Sequence, residues 1–207
     1  MTLLDAVDLH LWRGERHVLR GVSFAASAGQ CVQVGGANGA GKTSLLRALC
    51  GLLPLAGGAV RWRDVDLRDN PAALHSETAY AGHQLGLKAE LSALENLRFL
   101  CGLRGRGSPE ALSTALARVG LEGELQQRQL RELSAGQQRR VALARVMAQG
   151  AVLWLLDEPA ANLDVQGQAM LHQALAGHLR EGGICVVATH QPLNLPAASL
   201  VALDLAA

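Results

Sequence analysis

Aromatic side chains and long apolar runs are both scarce in this chain. Phe, Trp and Tyr make up only 3% of the 207 residues, although hydrophobic residues of all kinds make up 49%. The core must therefore be aliphatic. No apolar run approaches the roughly 20 residues that a membrane-spanning helix needs. The N-terminal segment already carries Asp5, Asp8 and His10, which is unlike a secretory signal. We expect a protein that stays in the cytosol or reaches a membrane only through a partner.

Strong charge of either sign is also lacking, and the cysteines are few and scattered. The formal net charge is +1, so we expect no nucleic-acid partner. None of the cysteines forms a Cys-x-x-Cys pair, which argues against a zinc site or a redox motif; they are Cys31, Cys50, Cys101 and Cys185. Isolated buried thiols are the simpler interpretation. The length fits one domain with a sizeable core.

One stretch of small residues carries the strongest signal. Residues 36–43 read Gly-Ala-Asn-Gly-Ala-Gly-Lys-Thr, which matches the phosphate-binding pattern of Gly, four residues, Gly, Lys and then Ser or Thr. Glycine lets backbone N–H groups approach a polyphosphate without a Cβ in the way. We expect Lys42 to reach the β- and γ-phosphates and the Thr43 hydroxyl to ligate Mg²⁺. The predicted phosphate-binding residues are Gly36, Ala37, Asn38, Gly39, Ala40, Gly41, Lys42, Thr43 and Ser44.

The context of this loop supports the same interpretation. Residues 31–34 predict a strand before it, and residues 44–50 predict a helix that stops at Gly51. The N-terminus of that helix would point at the phosphates and favour their negative charge. The sequence therefore predicts a nucleoside triphosphate site.

Turn residues and apolar spacing divide the first two thirds of the chain into strands and helices. Residues 2–35 are expected to form short strands, and residues 58–67 alternate like a half-exposed strand with a bend. A capping box at Ser92 and an N-cap at Ser108 each predict the start of a helix. Between them lies an Arg-Gly-Arg-Gly run at 104–107, which is expected to be a solvated loop rather than a lipid contact.

Two apolar strands in the last third flank a helix and end in carboxylates. Residues 151–156 and 184–189 predict buried strands around a helix over about 165–180, a pattern typical of a parallel sheet. Ligands bind at the carboxyl ends of such strands, and Asp157 and Glu158 follow the first one. Alone, this pair could be a strand-ending turn. Beside a phosphate loop, Asp157 is expected to hold the water shell of Mg²⁺ and Glu158 to polarise the attacking water.

A further motif precedes these strands. Residues 133–138 read Leu-Ser-Ala-Gly-Gln-Gln, and Ser134 predicts the N-cap of a helix that runs to about Ala148. Ser134 and Gly136 could offer a hydroxyl and backbone N–H groups to a γ-phosphate. Read alone, the motif is only a capped amphipathic helix. In its order it resembles the signature motif of ATP-binding-cassette (ABC) ATPases, usually Leu-Ser-Gly-Gly-Gln. That order is the phosphate loop, Gln84, this motif, Asp157-Glu158, residues 161–164 and His190.

The resemblance implies a fold and an assembly. The fold is α/β, of the P-loop NTPase (ABC ATPase) type, with a mainly parallel core sheet, an N-terminal antiparallel β subdomain and a helical subdomain. It would form a single domain over residues 1–207, with the helical subdomain inserted at approximately 86–147. In that family the signature motif completes the ATP site of the opposite subunit in a head-to-tail dimer. We therefore expect a homodimer that closes around two molecules of ATP with Mg²⁺.

The resemblance also assigns roles to single residues. Gln84 would sense Mg²⁺ and the attacking water, and His190 would contact the γ-phosphate and orient that water. Asp164 would belong to the segment that crosses the dimer interface. Together with Glu158, Gln84 and His190 form the expected catalytic set.

Three positions depart from the family pattern. Ala135 replaces the first glycine of the signature, and Ala37 stands where many relatives have proline; we expect both to be tolerated. The family usually stacks the adenine on an aromatic residue before the phosphate loop. Here either Arg13 or, after a register shift, Trp12 would take that place.

Four stretches make the resemblance more specific, because together they are similar to the ATPases of cytochrome c maturation: residues 82–88, 91–97, 133–140 and 189–194. That likeness implies coupling of ATP hydrolysis to haem export or haem-chaperone release, through integral membrane subunits of the same system. The protein would then lie at the cytoplasmic face of the bacterial inner membrane, with residues near 84–100 facing its membrane partner.

Three other functions compete with this one. A transporter of another small molecule stays open. A non-transport cassette ATPase acting on ribosomes or DNA is less favoured, because the chain has one cassette and near-neutral charge. A regulator that never hydrolyses nucleotide is disfavoured by the presence of Glu158 and His190.

Overall fold

The protein is built from two sheets with helices around them. The structure, a computed structural model, describes residues 2–103, 105 and 107–205. In chain order, the strands are β1 (Thr2–Arg13), β2 (Arg16–Ser27), β3 (Cys31–Gly35), β4 (Gly57–Trp62), β5 (Val65–Asp66), β6 (Thr78–Ala81), β7 (Leu153–Asp157), β8 (Ile184–Ala188) and β9 (Leu200–Asp204). The helices are α1 (Lys42–Leu49), α2 (Pro71–Glu77), α3 (Ala93–Gly102), α4 (Pro109–Ala117), α5 (Ala135–Ala148) and α6 (Val165–Arg180). Short 3₁₀ turns cover Gly123–Gln126, Leu130–Glu132 and Ala197–Ser199.

The first sheet is antiparallel, with the strand order β2-β1-β4-β5. The prediction of short strands over residues 2–35 was wrong, because β1 and β2 each extend over 12 residues. β1 is irregular near its middle. Asp8 has a φ of 50°, and the register of β1 shifts between Val7 and His10. The backbone of Asp8 then approaches Gly58 so closely that a Cβ there would lie 2.2 Å from the Asp8 carbonyl oxygen. Glycine at 58 is therefore part of the same bulge.

A hairpin replaces the single bent strand predicted over residues 58–67. Trp62 pairs with Val65, and the two residues between them, Arg63 and Asp64, have φ values of 50° and 66°. Two successive left-handed residues form the kind of tight turn whose twist suits an antiparallel hairpin. The chain therefore reverses direction where the sequence suggested only a bend.

The second sheet is the core of the molecule, and all its strand pairs are parallel, in the order β6-β7-β8-β3-β9. This confirms the predicted parallel sheet. Every residue of β7 and β8 is buried. Because side chains alternate along a strand, Leu153 and Leu155 pack into one core with α1, whereas Trp154 and Leu156 pack into another with α5 and α6. The sheet is thus covered on both faces.

The helix starts predicted at Ser92, Ser108 and Ser134 are confirmed. Ser92 and Ser134 each form a reciprocal capping box, and the Ser108 side chain accepts from the Ala111 N–H group. The helix after the phosphate loop begins two residues earlier than predicted, at Lys42. Arg104 and Arg106, and with them the predicted solvated loop, lie outside the described residues. The boundaries of the helical subdomain, near 86 and 147, stay a prediction.

Two remaining expectations concern membranes and thiols. Within the described part of the chain, none of the helices has the length and apolarity needed to span a membrane. All four cysteines are buried, as predicted. Burial raises the pKa of the Cys50 thiol to about 11. Cys31 and Cys185 are neighbours across β3 and β8, and burial raises the pKa of Cys185 above its usual range. The Cys50 and Cys185 thiols therefore stay protonated, and all four cysteines form part of the core.

Candidate functional site

The phosphate-binding pattern forms the loop between β3 and α1. Gly36, Gly39 and Gly41 have φ values of 122°, 83° and 107°, which other residues rarely adopt. Space is restricted as well. A Cβ at Gly36 would lie 2.7 Å from the Leu205 carbonyl oxygen, and a Cβ at Gly41 would lie 2.7 Å from a methyl group of Val18. Gly41 is also the N-cap of α1 and makes no side-chain cap. The first N–H groups of α1 are therefore free to bind an anion.

Lys42 is held across this loop. Its Nζ donates to the carbonyl oxygens of Gly36, at 2.7 Å, and of Ala37, at 3.2 Å. The same atom lies 3.2 Å from Nε2 of His190. The ammonium group thus sits inside the loop, beside the free N–H groups of α1, where a phosphate would meet both.

Two carboxylates at the end of β7 face the loop. Asp157 is only 2% exposed, and its Oδ2 accepts from the Thr43 hydroxyl at 2.8 Å. Glu158 follows in a left-handed conformation with a φ of 47°, and its N–H group donates to the Ala188 carbonyl oxygen at 2.8 Å. A glutamate at positive φ is uncommon and costs free energy. The strained backbone turns the Glu158 carboxylate towards the residues that follow β8.

His190 contacts side chains from both the phosphate loop and the end of β7. Its Nε2 lies 2.9 Å from Oδ1 of Asn38 and 3.4 Å from Oε1 of Glu158, in addition to the contact with Lys42. The arrangement follows from topology, because β7 and β8 are parallel neighbours whose carboxyl ends open at the same edge. A single imidazole nitrogen therefore contacts an amide oxygen, a carboxylate and an ammonium group, and its tautomer decides whether it donates to one of the two oxygens or accepts from Lys42.

These residues line one cavity of about 460 Å³, together with side chains from β1 and β2. Arg13 lines it, whereas Trp12 stacks on His17 with the ring centroids 4.3 Å apart and stays 53% exposed. Of the two candidates for the adenine contact, Arg13 is therefore the one at the cavity. Arg16 was not predicted; it lines the cavity too, and its Nη2 donates to the Gly39 carbonyl oxygen at 3.0 Å. The sequence signal that could have identified Arg16 is a basic residue close before the Val18-Leu19 pair.

The donor set fits a Mg²⁺ ion bound together with phosphates. The described residues contain no cluster of three or more His, Cys, Asp and Glu that could hold a metal alone. Mg²⁺ in nucleotide sites needs only one or two protein oxygens, because phosphates and waters supply the rest. The Thr43 hydroxyl and the Asp157 carboxylate are hydrogen-bonded to each other and provide such oxygens.

Four predicted site residues lie apart from this cavity. Gln84 is exposed beyond the end of β6 and is not among the described residues that line the cavity. The Ser134 hydroxyl accepts from the Gln137 N–H group at 3.2 Å and so caps α5. Gly136, two residues on, packs against residues 161–164: a Cβ at Gly136 would lie 2.8 Å from the Asn162 carbonyl oxygen.

Asp164 is the fourth, and it caps α6. Its Oδ1 accepts from the Gly167 N–H group at 2.8 Å and from Nη2 of Arg140 at 2.5 Å. The hydrogen bond from Gly167, followed by the bond from Arg140, lowers the pKa of the Asp164 carboxyl. Within one chain the signature motif and residues 161–164 therefore form a separate group, joined by Arg140 and Gly136. The roles of all four residues stay predictions.

Comparison with known proteins agrees with this geometry. Residues 19–161 match the family model of the ABC transporters. The dimeric structure of a bacterial ABC transporter cassette superposes with a TM-score of 0.84 at 24% identity, covering 98% of this chain and 94% of that one. An ABC transporter ATP-binding protein from Pyrococcus furiosus gives a TM-score of 0.84 at 23% identity, with 98% and 96% covered. These structural likenesses show the predicted fold, that of an ABC ATPase cassette.

Sequence comparison is more specific. The chain is 48% identical over 193 residues to the cytochrome c biogenesis ATP-binding export protein CcmA of Methylococcus capsulatus, covering 93% of each. It is 45% identical over 195 residues to the CcmA protein of Escherichia coli, covering 94% of this chain and 92% of that one. The chain therefore belongs to the ABC transporter ATP-binding family and, within it, to the cytochrome c biogenesis ATP-binding export proteins. The predicted family is confirmed.

Proposed function

We propose that this protein is the ATP-hydrolysing subunit of a complex that powers haem export or haem-chaperone release during c-type cytochrome biogenesis. The observation that carries the proposal is an identity of 45–48% over more than nine tenths of the chain to proteins named for that process. The cavity beside the phosphate loop adds chemical support, because Lys42, Asp157, Glu158 and His190 all line it. ATP is the substrate.

The residues at the cavity divide the work of hydrolysis. Lys42 and the N–H groups at the start of α1 bind the β- and γ-phosphates. Thr43 and Asp157 would hold Mg²⁺, which neutralises charge on those phosphates when it is bound. Glu158 polarises the attacking water, and His190 orients it and contacts the γ-phosphate. Asn38 and Lys42 hold His190 in place through the contacts at Nε2. Arg13 lies under the adenine.

A second copy completes the site. We infer that Ser134, Gly136 and Asp164 act on the ATP of the opposite subunit, because they form their own group away from the cavity. A solved cassette with a TM-score of 0.84 to this chain is dimeric. Gln84 joins the catalytic set and the Mg²⁺ site when the two copies close. The division of the chain follows the same proposal, with one domain over 1–207 and a helical subdomain near 86–147.

The partner surface lies on the helical part. Integral membrane subunits of the cytochrome c maturation system would contact residues near 84–100, at the cytoplasmic face of the inner membrane. Phe99 is exposed there, with Nζ of Lys88 4.8 Å from its ring centroid. An exposed aromatic ring beside a cation suits a protein contact that is apolar at its centre.

Two experiments test the proposal. Mass spectrometry of proteins that co-purify from gently solubilised membranes should find cytochrome c maturation subunits; an unrelated permease would reassign the cargo.

In cells that lack this gene, the wild-type chain should restore haem-stained c-type cytochromes, whereas Glu158→Gln should not. Arg118→Gln, a change at the exposed end of α4, is the matched control and should restore them fully. Rescue by Glu158→Gln would contradict the proposal.

A further inference from the structure

The edge strand of the parallel sheet is covered by two arginines instead of a further strand. β6 is the first strand in the order and pairs with β7. Carbonyl groups two residues apart on an extended chain point the same way, and those of Tyr80 and Gly82 point towards α5. The Tyr80 carbonyl accepts from Nη2 of Arg145 at 2.7 Å, and the Gly82 carbonyl accepts from Nη1 of Arg139 at 3.2 Å. The two guanidinium groups thus take the place of a neighbouring strand's N–H groups.

Arg139 is a charged side chain in a buried position. It is only 6% exposed, and burial of a charged guanidinium costs free energy. Burial lowers the pKa of Arg139, while the negative charges of Asp157 and Glu158 act in the opposite direction. A shorter side chain at this position would leave the Gly82 carbonyl without its donor from α5.

The position of Arg139 along α5 indicates its role. The helix begins directly after Ser134, five residues before Arg139. The carbonyl that Arg139 holds lies two residues before Gln84. Through Arg139, α5 therefore connects the signature motif at its N-terminus to the segment that carries Gln84.

We propose that Arg139 is a positioning residue that couples α5, and with it the signature motif, to the segment that carries Gln84. The inference rests on the proposed ATPase function and deepens it. A shift of α5 along its axis, such as closure of two copies would impose, moves the Gly82 carbonyl with it. Gln84 is then placed at the catalytic carboxylates only when α5 is in the closed position. Arg139 acts through Gln84 and does not itself touch ATP.

Steady-state kinetics of purified full-length variants test this coupling. Arg139→Gln should lower kcat on the order of tenfold and leave KM for ATP unchanged, because the phosphate loop is untouched. Arg139→Lys keeps the charge but loses the planar donor group. Its kcat should therefore lie between that of the wild type and that of Arg139→Gln. Arg118→Gln removes an exposed arginine from the helical part and should leave both constants unchanged. A wild-type kcat for folded Arg139→Gln would overturn the proposal.

A double-variant cycle separates positioning from a structural role. If Arg139 acts through Gln84, Arg139→Gln combined with Gln84→Ala should lose no more activity than Gln84→Ala alone. Additive losses would overturn the coupling. A lowered Tm with an unchanged kcat per folded molecule would assign Arg139 to stability only. If Arg139→Gln does not fold, Arg139→Lys replaces it in the cycle with the same readings.

Hydrogen exchange supplies a measure independent of turnover. Amides of residues 82–87 should exchange faster in Arg139→Gln than in the wild type, and those of α1 should not change. Unchanged exchange at 82–87 would count against the proposal. The ATPase assignment itself fails by a different result: hydrolysis that survives Lys42→Ala.

Discussion

The starts of α1 and α5 are both turns of small residues that open a helix, but their N-termini are completed differently. Gly41 at α1 makes no side-chain cap, and Lys42 begins the helix directly. At α5 the Ser134 hydroxyl accepts from the Gln137 N–H group, and the Ser134 N–H group donates to Oε1 of Gln137. The first N–H groups of α1 thus remain available for a ligand. In α5 the Gln137 N–H group is already used by the N-cap. The two helix starts therefore differ in how many of their N–H groups remain for an anion.

The largest effect is expected at the start of α1. Lys42→Ala should abolish ATP binding, since it removes the cation that the loop carbonyls position beside the free N–H groups of α1. Isothermal titration calorimetry with ATP and Mg²⁺ measures it. An unchanged affinity would show that Lys42 does not bind the phosphates, and the contrast between the starts of α1 and α5 would then carry no functional meaning.

Glu158→Gln should come next in size. Turnover should fall by at least ~10²-fold, since the amide cannot polarise the attacking water, while ATP binding persists and traps a closed dimer. A phosphate-release assay and size-exclusion chromatography with ATP measure the two parts. Because the side chain keeps its shape and the backbone its φ, a normal rate would show that Glu158 has another role.

A cap deletion sharpens the contrast between the two helix starts. Ser134→Ala should lower the free energy of unfolding by about 1 kcal/mol through loss of the N-cap, and it should also lower turnover. Ser108→Ala is the matched control, because Ser108 caps α4 in the same way outside the proposed site. Urea unfolding and ATPase rates compare the pair. Equal losses of stability with equal, wild-type rates would leave α5 without a role in hydrolysis.

The smallest effect concerns pH. Hydrogen bonds from Gly167 and Arg140 lower the pKa of Asp164, so its ionised form stabilises the folded chain. That contribution is present above the ordinary carboxyl pKa of about 4 and is lost as the pH falls through the lowered value. Asp164→Asn keeps a good N-cap but removes the charge. The free energy of unfolding, measured with urea, should therefore fall less steeply between pH 6 and pH 3 in the variant than in the wild type. Parallel pH dependences of the two proteins would contradict this.

The phosphate loop could be predicted because its requirements are local. Gly36, Gly39 and Gly41 take positive φ for reasons visible in eight consecutive residues. The contact of Glu158 with His190 was also within reach, since two buried strands around a helix predict adjacent carboxyl ends.

Features that depend on distant residues could not be predicted in the same way. The bulge at Asp8 needs the absence of a side chain at Gly58, some 50 residues later. Arg16 reaches the Gly39 carbonyl only because the β1–β2 ribbon folds over the loop. Arg139 reads as a solvated charge next to the signature motif until the edge of the sheet is known. Each depends on pairing that a linear pattern does not contain.

The left-handed backbone at Glu158 sets stability against activity. Glycine would adopt a φ of 47° without the steric cost that a side chain brings, so the most relaxed sequence at this position would be one without the proposed catalytic carboxylate. Variants selected only for heat resistance should therefore tend to accumulate Glu158→Gly and lose turnover as they gain stability. An engineering effort on this chain would need to assay hydrolysis at every round to retain the strained residue.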